Sequence, residues 1–185
     1  MEYRLEQLKL QLKIGLGGVR MVGIWGLGGG GKTTLATTFY KKFSLNYDGC
    51  CFLENIWEET QNHGLKRLQA KILSTIFGKK MQVGSVELGK DKIKQMLCNR
   101  KVLIILDDVD HLDQLKAFAG CRKWFGDGSR LIITTRDQHL LTFIDETEVS
   151  PLSLLSHEEA VSLFNKRAYN AKTLYKIMKC FCWKD

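Results

Sequence analysis

One octet constrains this chain more than any other feature. Gly26-Leu-Gly-Gly-Gly-Gly-Lys32-Thr33 fits the G-x-x-x-x-G-K-[ST] pattern of a phosphate-binding loop. Glycine-rich octets also arise by chance, so the neighbours decide the meaning. Val19 to Trp25 is apolar and reads as a strand, while Leu35, Ala36, Phe39 and Tyr40 follow at helical spacing. A strand, a glycine loop and a helix in that order predict an α/β sheet with its ligand at the strand ends.

Charge explains the residue types. A polyphosphate crowds negative oxygens together, and backbone N–H groups can ring it closely only where no Cβ intervenes. Gly26, Gly28, Gly29, Gly30 and Gly31 supply such a backbone, and the helix from Lys32 adds unpaired amides and the positive end of its dipole. Lys32 is expected to reach the β and γ phosphates and the Thr33 hydroxyl to ligate Mg²⁺, with Thr34 packing or capping at the edge of the site. The same glycines, as Gly26-x-Gly28-x-x-Gly31, also satisfy a dinucleotide fingerprint, with Asp48 or Glu54 as its ribose acid. That fingerprint needs neither the Lys-Thr pair nor a second strand ending in carboxylates.

Such a strand is present. Val102-Leu-Ile-Ile-Leu106 is an unbroken apolar run, as expected of a strand buried on both faces, and Asp107-Asp108-Val-Asp110 follows it. Asp107 is the expected Walker B residue, holding Mg²⁺ through water. Asp108 is a candidate catalytic base for an attacking water, or else a cap for the helix that begins near Asp113. Asp110 reads as structural. A third strand, Arg130 to Thr135, follows the turn Gly126-Asp-Gly-Ser129 and ends at Arg136-Asp137. Arg136 is the candidate sensor of a terminal phosphate, with a surface pair to Asp137 as the alternative.

The other elements alternate between strand and helix. Leu5, Leu8 and Leu12 mark an amphipathic helix over residues 3–14, ended by Gly15-Leu-Gly-Gly18. Residues 50–56 read as a strand, and Leu65, Leu68, Ile72 and Ile76 mark a helix face. Helices are expected over 87–98, 113–119 and 138–143, and a short strand at Val149. Ser156-x-x-Glu159 reads as a capping box that opens a helix through Ala168. This order implies a three-layer α/β fold with a mainly parallel sheet.

Composition narrows the setting. The sequence has no run of eighteen apolar residues and no apolar signal core after Met1. Its six cysteines lack CxxC pairs or regular spacing, which suits the reduced cytoplasm or nucleus, and its four histidines are scattered. The net charge of +8 is concentrated at residues 166–185, where six bases face one acid. That tail reads as a solvated face rather than a specific nucleic-acid site.

These motifs together carry a resemblance. Gly23 to Ala36 resembles the P-loop of the NB-ARC domain of plant nucleotide-binding leucine-rich-repeat disease-resistance proteins. Phe52-Leu-Glu-Asn-Ile56 with Gly64 to Ser74, and Leu106-Asp-Asp-Val-Asp110, resemble blocks of the class with an N-terminal TIR domain. Gly128 to Asp137 resembles the sensor block, and Val149 to Phe164 the opening of the first ARC subdomain. The resemblance implies a P-loop NTPase fold in which the sensor strand lies between the P-loop and Walker B strands. It also implies an ADP/ATP switch with Mg²⁺ that oligomerises, signals defence, and hydrolyses nucleotide slowly if at all. The implied organisation is an N-terminal helix and linker over residues 1–18, a nucleotide-binding subdomain over 19–152, and a partial ARC helix with a basic tail over 153–185.

Two departures stand out. Position 30 is Gly where the family usually has Val or Ile, and beyond Tyr169 the similarity ends, so the chain is expected to be a truncated form. Three readings follow: a switch module of an immune receptor, a working P-loop ATPase, or a fragment that binds related receptor chains without switching.

Overall fold

The computed structural model describes residues 2–143 and 148–152, together with 158, 160 and 161. The expected ARC helix, apart from those last three helical positions, and the basic tail lie outside the described residues. Residues 1–152 form one unit and 153–185 another.

The alternating apolar pattern produces a five-stranded parallel sheet in the order β2-β3-β4-β1-β5. The strands are β1 (Arg20–Trp25), β2 (Gly49–Leu53), β3 (Val102–Val109), β4 (Arg130–Thr135) and β5 (Glu148–Pro151). The sensor strand β4 therefore lies between the P-loop strand β1 and the acid-tipped strand β3, the order implied by the resemblance. Side chains leave a strand on alternate faces, and the two cores divide accordingly. Ile104, Leu106, Leu131 and Ile133 pack on one face, and Leu103, Ile105, Val22, Ile24 and Ile132 on the other.

Helices cover both faces. On one side lie α1 (Glu2–Gln11) and α2 (Lys32–Phe43), where Leu5, Leu8 and Leu12 pack in a single cluster with Leu35, Phe39 and Phe43. The other cluster holds side chains of α3 (Ile56–His63), α4 (Leu65–Phe77), α5 (Val86–Leu97), α6 (Leu112–Ala119) and α7 (His139–Thr142). The core strands are buried over most of their length, β4 at all six positions, β1 at its four central ones and β3 everywhere but Asp108, which explains their apolar runs.

One element differs from the sequence reading. The expected strand over residues 50–56 ends at Leu53, and Ile56 opens α3 instead. Asn55 adopts a left-handed conformation (φ 53°, ψ 48°) that interrupts the extended chain. Ile56 is apolar because it is fully buried at the start of a helix, so its hydrophobicity alone misassigned it.

At the opposite end of the sheet, the first residue of β4 fastens the chain between α1 and β1. Arg130 is 1% exposed and donates to the carbonyls of Lys13, Leu16, Gly18 and Ser129, while the Asp127 carboxylate accepts from the Gly18 N–H.

Candidate functional site

The glycine loop turns between β1 and α2 at the C-terminal edge of the sheet. Gly29 (φ 77°) and Gly31 (φ 91°) occupy the left-handed region, where a Cβ would be strained, and Gly31 is the N-cap of α2. A cavity of about 250 Å³ lies over the loop. It is lined by Gly28, Gly29, Gly31, Lys32, Thr33 and Thr34, opposite Asp107, Asp108 and Arg136, and also by Asn55, which the sequence reading missed. Gly26 and Gly30 shape the loop without lining the cavity: the Gly26 carbonyl accepts from Lys32, and the Gly30 N–H donates to the Leu27 carbonyl at 3.3 Å.

Lys32 is only 7% exposed, and its Nζ donates to the Gly26 and Leu27 carbonyls at 2.8 and 2.9 Å. Burial lowers its pKa, and Arg136 lowers it further against the opposing pull of Asp108 and Asp107. The side chain of Thr34 is not in the loop's bonding network; its carbonyl accepts from the Thr38 hydroxyl one turn on.

Asp107 is 3% exposed and carries the most connected carboxylate of the site. Thr33 Oγ1 donates to it, at 2.9 Å from Oδ1 and 3.1 Å from Oδ2, and Thr134 Oγ1 donates to Oδ1 at 2.7 Å. Thr134 also accepts from the Asp108 N–H at 2.9 Å, so one hydroxyl on β4 braces both acids on β3. Its role was invisible in the sequence, where it reads as another β-branched strand residue. The pairing of β3 with β4 shifts between Leu106 and Val109, and Asp108 sits there in the left-handed region (φ 55°). A bulge with positive φ at a non-glycine is strained, and it re-aims a side chain.

Asp108 faces Arg136, with Nη2 3.3 Å from Oδ2 and Nε 3.3 Å from Oδ1. The alternative partner of Arg136, Asp137, is otherwise engaged: its Oδ1 accepts from the His139 N–H at 2.8 Å. Neither Asp107 nor Asp108 closes the turn before α6; there Gln114 Oε1 accepts from the Asp110 and His111 N–H groups, and its Nε2 donates to Asp110 at 2.7 Å.

The oxygens of Thr33 and Asp107 are hard donors suited to Mg²⁺. Among the described residues no group of three or more His, Cys, Asp or Glu could hold a metal ion, so an ion here would need oxygens from a nucleotide and from water. That division of ligands is normal for Mg²⁺ at phosphate sites, and the residues present fit it.

A family model of the NB-ARC domain matches residues 1–174. The chain belongs to the NB-ARC family. It is 40% identical over 172 residues to TMV resistance protein N of Nicotiana glutinosa, covering 89% of this chain and 15% of that protein. To disease resistance protein RPV1 of Vitis rotundifolia it is 39% identical over 180 residues, covering 95% of this chain and 13% of the relative. This NB-ARC chain thus spans about one seventh of the length of the relatives it matches. Among solved structures, Cdc6p from Pyrobaculum aerophilum superposes with a TM-score of 0.66 at 14% identity, covering 91% of this chain and 49% of that one. At that identity the likeness shows the shared α/β fold. No helix among the described residues is long and apolar enough to cross a membrane.

Proposed function

We propose that this chain is the ADP/ATP-binding switch module of a plant disease-resistance protein, with Mg²⁺ as the accompanying ion. One observation carries the reading: Lys32 and Thr33, Asp107, and Arg136, from three separate stretches of sequence, converge on one cavity floored by left-handed glycines. Lys32 would exchange its two loop carbonyls for phosphate oxygens, and Thr33 and Asp107 would hold the ion, which neutralises phosphate charge.

The switch would lie in Arg136. Its side chain is 68% exposed and its guanidinium is held to Asp108 at 3.3 Å, close enough to orient it and loose enough to release it. A terminal phosphate is a stronger partner than one carboxylate, so its arrival would draw Arg136 off Asp108. With a diphosphate the Arg136–Asp108 pair would persist. Cys50, Cys51, Cys98 and Cys121 are all free thiols, which suits the reducing cytoplasm as the place of action.

Calorimetric titration of the purified chain with ADP and ATP, in the presence of Mg²⁺, tests this reading. Micromolar or tighter binding in the wild type and its loss in Lys32→Ala are expected; a folded wild type that binds neither nucleotide refutes it.

A further inference from the structure

Asn55 occupies an unusual place. Asparagine is a favoured helix N-cap because its side-chain oxygen accepts from a first-turn N–H. Asn55 precedes α3, yet its side chain makes no such bond. Instead Nδ2 donates to Glu58 Oε2 at 3.0 Å, and the backbone is left-handed. Helix capping therefore does not account for the side chain.

Its position does. β2 pairs with β3, Leu53 opposite Leu106, so the chain leaving β2 emerges beside Asp107. Asn55 lines the cavity over the glycine loop and also a second cavity of about 430 Å³, walled by Glu54, Glu58 and Glu59. Three residues line both cavities: Thr33, Asp107 and Asn55. The first two are the metal-binding pair of the reading above.

We propose that Asn55 is a positioning residue for the metal–nucleotide complex, its amide oxygen accepting from water in the hydration shell of Mg²⁺. This rests on the nucleotide reading. Mg²⁺ sheds its waters reluctantly and keeps several at phosphate sites, and each such water presents O–H donors to its surroundings. With Nδ2 committed to Glu58, the amide oxygen of Asn55 is left as an acceptor, and Glu58 fixes its orientation. Partners of this outer kind change metal affinity by about 10- to 100-fold when lost.

Calorimetry of ADP binding with Mg²⁺ and with EDTA separates the possibilities. Asn55→Gly keeps a backbone that tolerates positive φ while removing the amide. Its EDTA affinity is expected to match the wild type, while the gain on adding Mg²⁺ falls by about tenfold. Glu58→Ala, which frees the amide to rotate, should lower that gain in the same direction and by less. If Asn55→Gly does not fold, Asn55→Asp, which also tolerates positive φ, takes its place. There a second anion near the ion should raise the ratio of Mg²⁺ to EDTA affinity, because without the ion the carboxylate repels phosphate.

An unchanged ratio in the variant measured overturns the proposal. So does an equal loss with and without Mg²⁺ in Asn55→Gly, which would make the role purely structural. Absence of all nucleotide binding by the folded wild type is a different outcome, and it removes the underlying reading as well.

Discussion

Strand β4 carries an arginine at each end, and the two have opposite surroundings. Arg130, at the first position, is 1% exposed and saturated with four carbonyls; only its Nε is buried without a partner. Arg136, just past the last position, is 68% exposed and shares a single carboxylate at 3.3 Å. Burial lowers the pKa of Arg130, yet its bonds hold the linker of residues 13–18 against the sheet. A guanidinium whose two terminal nitrogens are both held by backbone carbonyls can fasten but cannot respond. Arg136 has the reverse properties: most of its donors are available, its one partner is easily exchanged, and it borders a cavity lined by glycine. The same residue type at the two ends of one strand thus serves rigidity at one and responsiveness at the other.

The strongest break of this contrast is Arg130→Met. It removes four donated bonds; the Ser129 and Lys13 carbonyls keep the Arg20 and Leu16 N–H groups while those of Leu16 and Gly18 lose the guanidinium, so unfolding in urea should show a loss of about 2–4 kcal/mol. A loss under 1 kcal/mol would mean that the linker is held by α1 packing alone. Gly126→Ala probes the same end through sterics. An added Cβ would lie 2.4 Å from the Arg100 backbone N and 2.7 Å from its carbonyl O, contacts that rigid backbone cannot relieve by a rotamer change. A destabilisation of about 1–3 kcal/mol is expected, with Tm lowered accordingly.

At the other end Arg136→Ala should leave stability within about 0.5 kcal/mol, since exposed ion pairs contribute little. Its effect should appear in ligand choice: ATP affinity falls about tenfold while ADP affinity is retained, the size of one charge-assisted hydrogen bond. Equal losses for both nucleotides would remove the distinction between the two arginines, because Arg136 would then be acting through the loop.

Sequence reading reached the two ends unequally. The convergence of the glycine loop, Lys32, Thr33, Asp107 and Arg136 on one cavity was legible because these residue types stand at fixed spacing in their motifs, and a parallel sheet aligns its strand tips. The unbroken apolar runs also foretold β1 and β4 to within a residue, and β3 to within three, since it continues through Asp107 and Asp108 to Val109. What stayed hidden depends on contacts across long separations. Arg130 reads as an ordinary polar start to a strand until residues 13–18 fold over it. Thr134 looks like a strand former until β3 lies beside it, and Asn55 looks like part of an apolar segment until its backbone turns left-handed. The resting partner of Arg136 was likewise out of sight: Asp137, the alternative to a sensing role, is adjacent in the chain, but Asp108 is adjacent in space, and Asp137 is occupied by α7.

The subtlest expected effect concerns protons at the responsive end. Lys32 holds an ammonium whose pKa is lowered chiefly by burial and secondarily by Arg136. Phosphate brings negative charge beside it and must raise that pKa, since an opposite charge favours the protonated form. Below both values the lysine is charged before and after binding, so no proton moves and affinity is flat with pH. Between them the free chain has lost part of its charge, so binding takes up a fraction of a proton and affinity declines as pH rises. Titrations at alkaline pH in two buffers of different ionisation enthalpy should reveal this uptake, and those near neutral pH much less of it. Lys32→Arg, whose guanidinium does not titrate in this range, should abolish it while keeping a positive charge in the loop. If the uptake survives in Lys32→Arg, the proton belongs to another group.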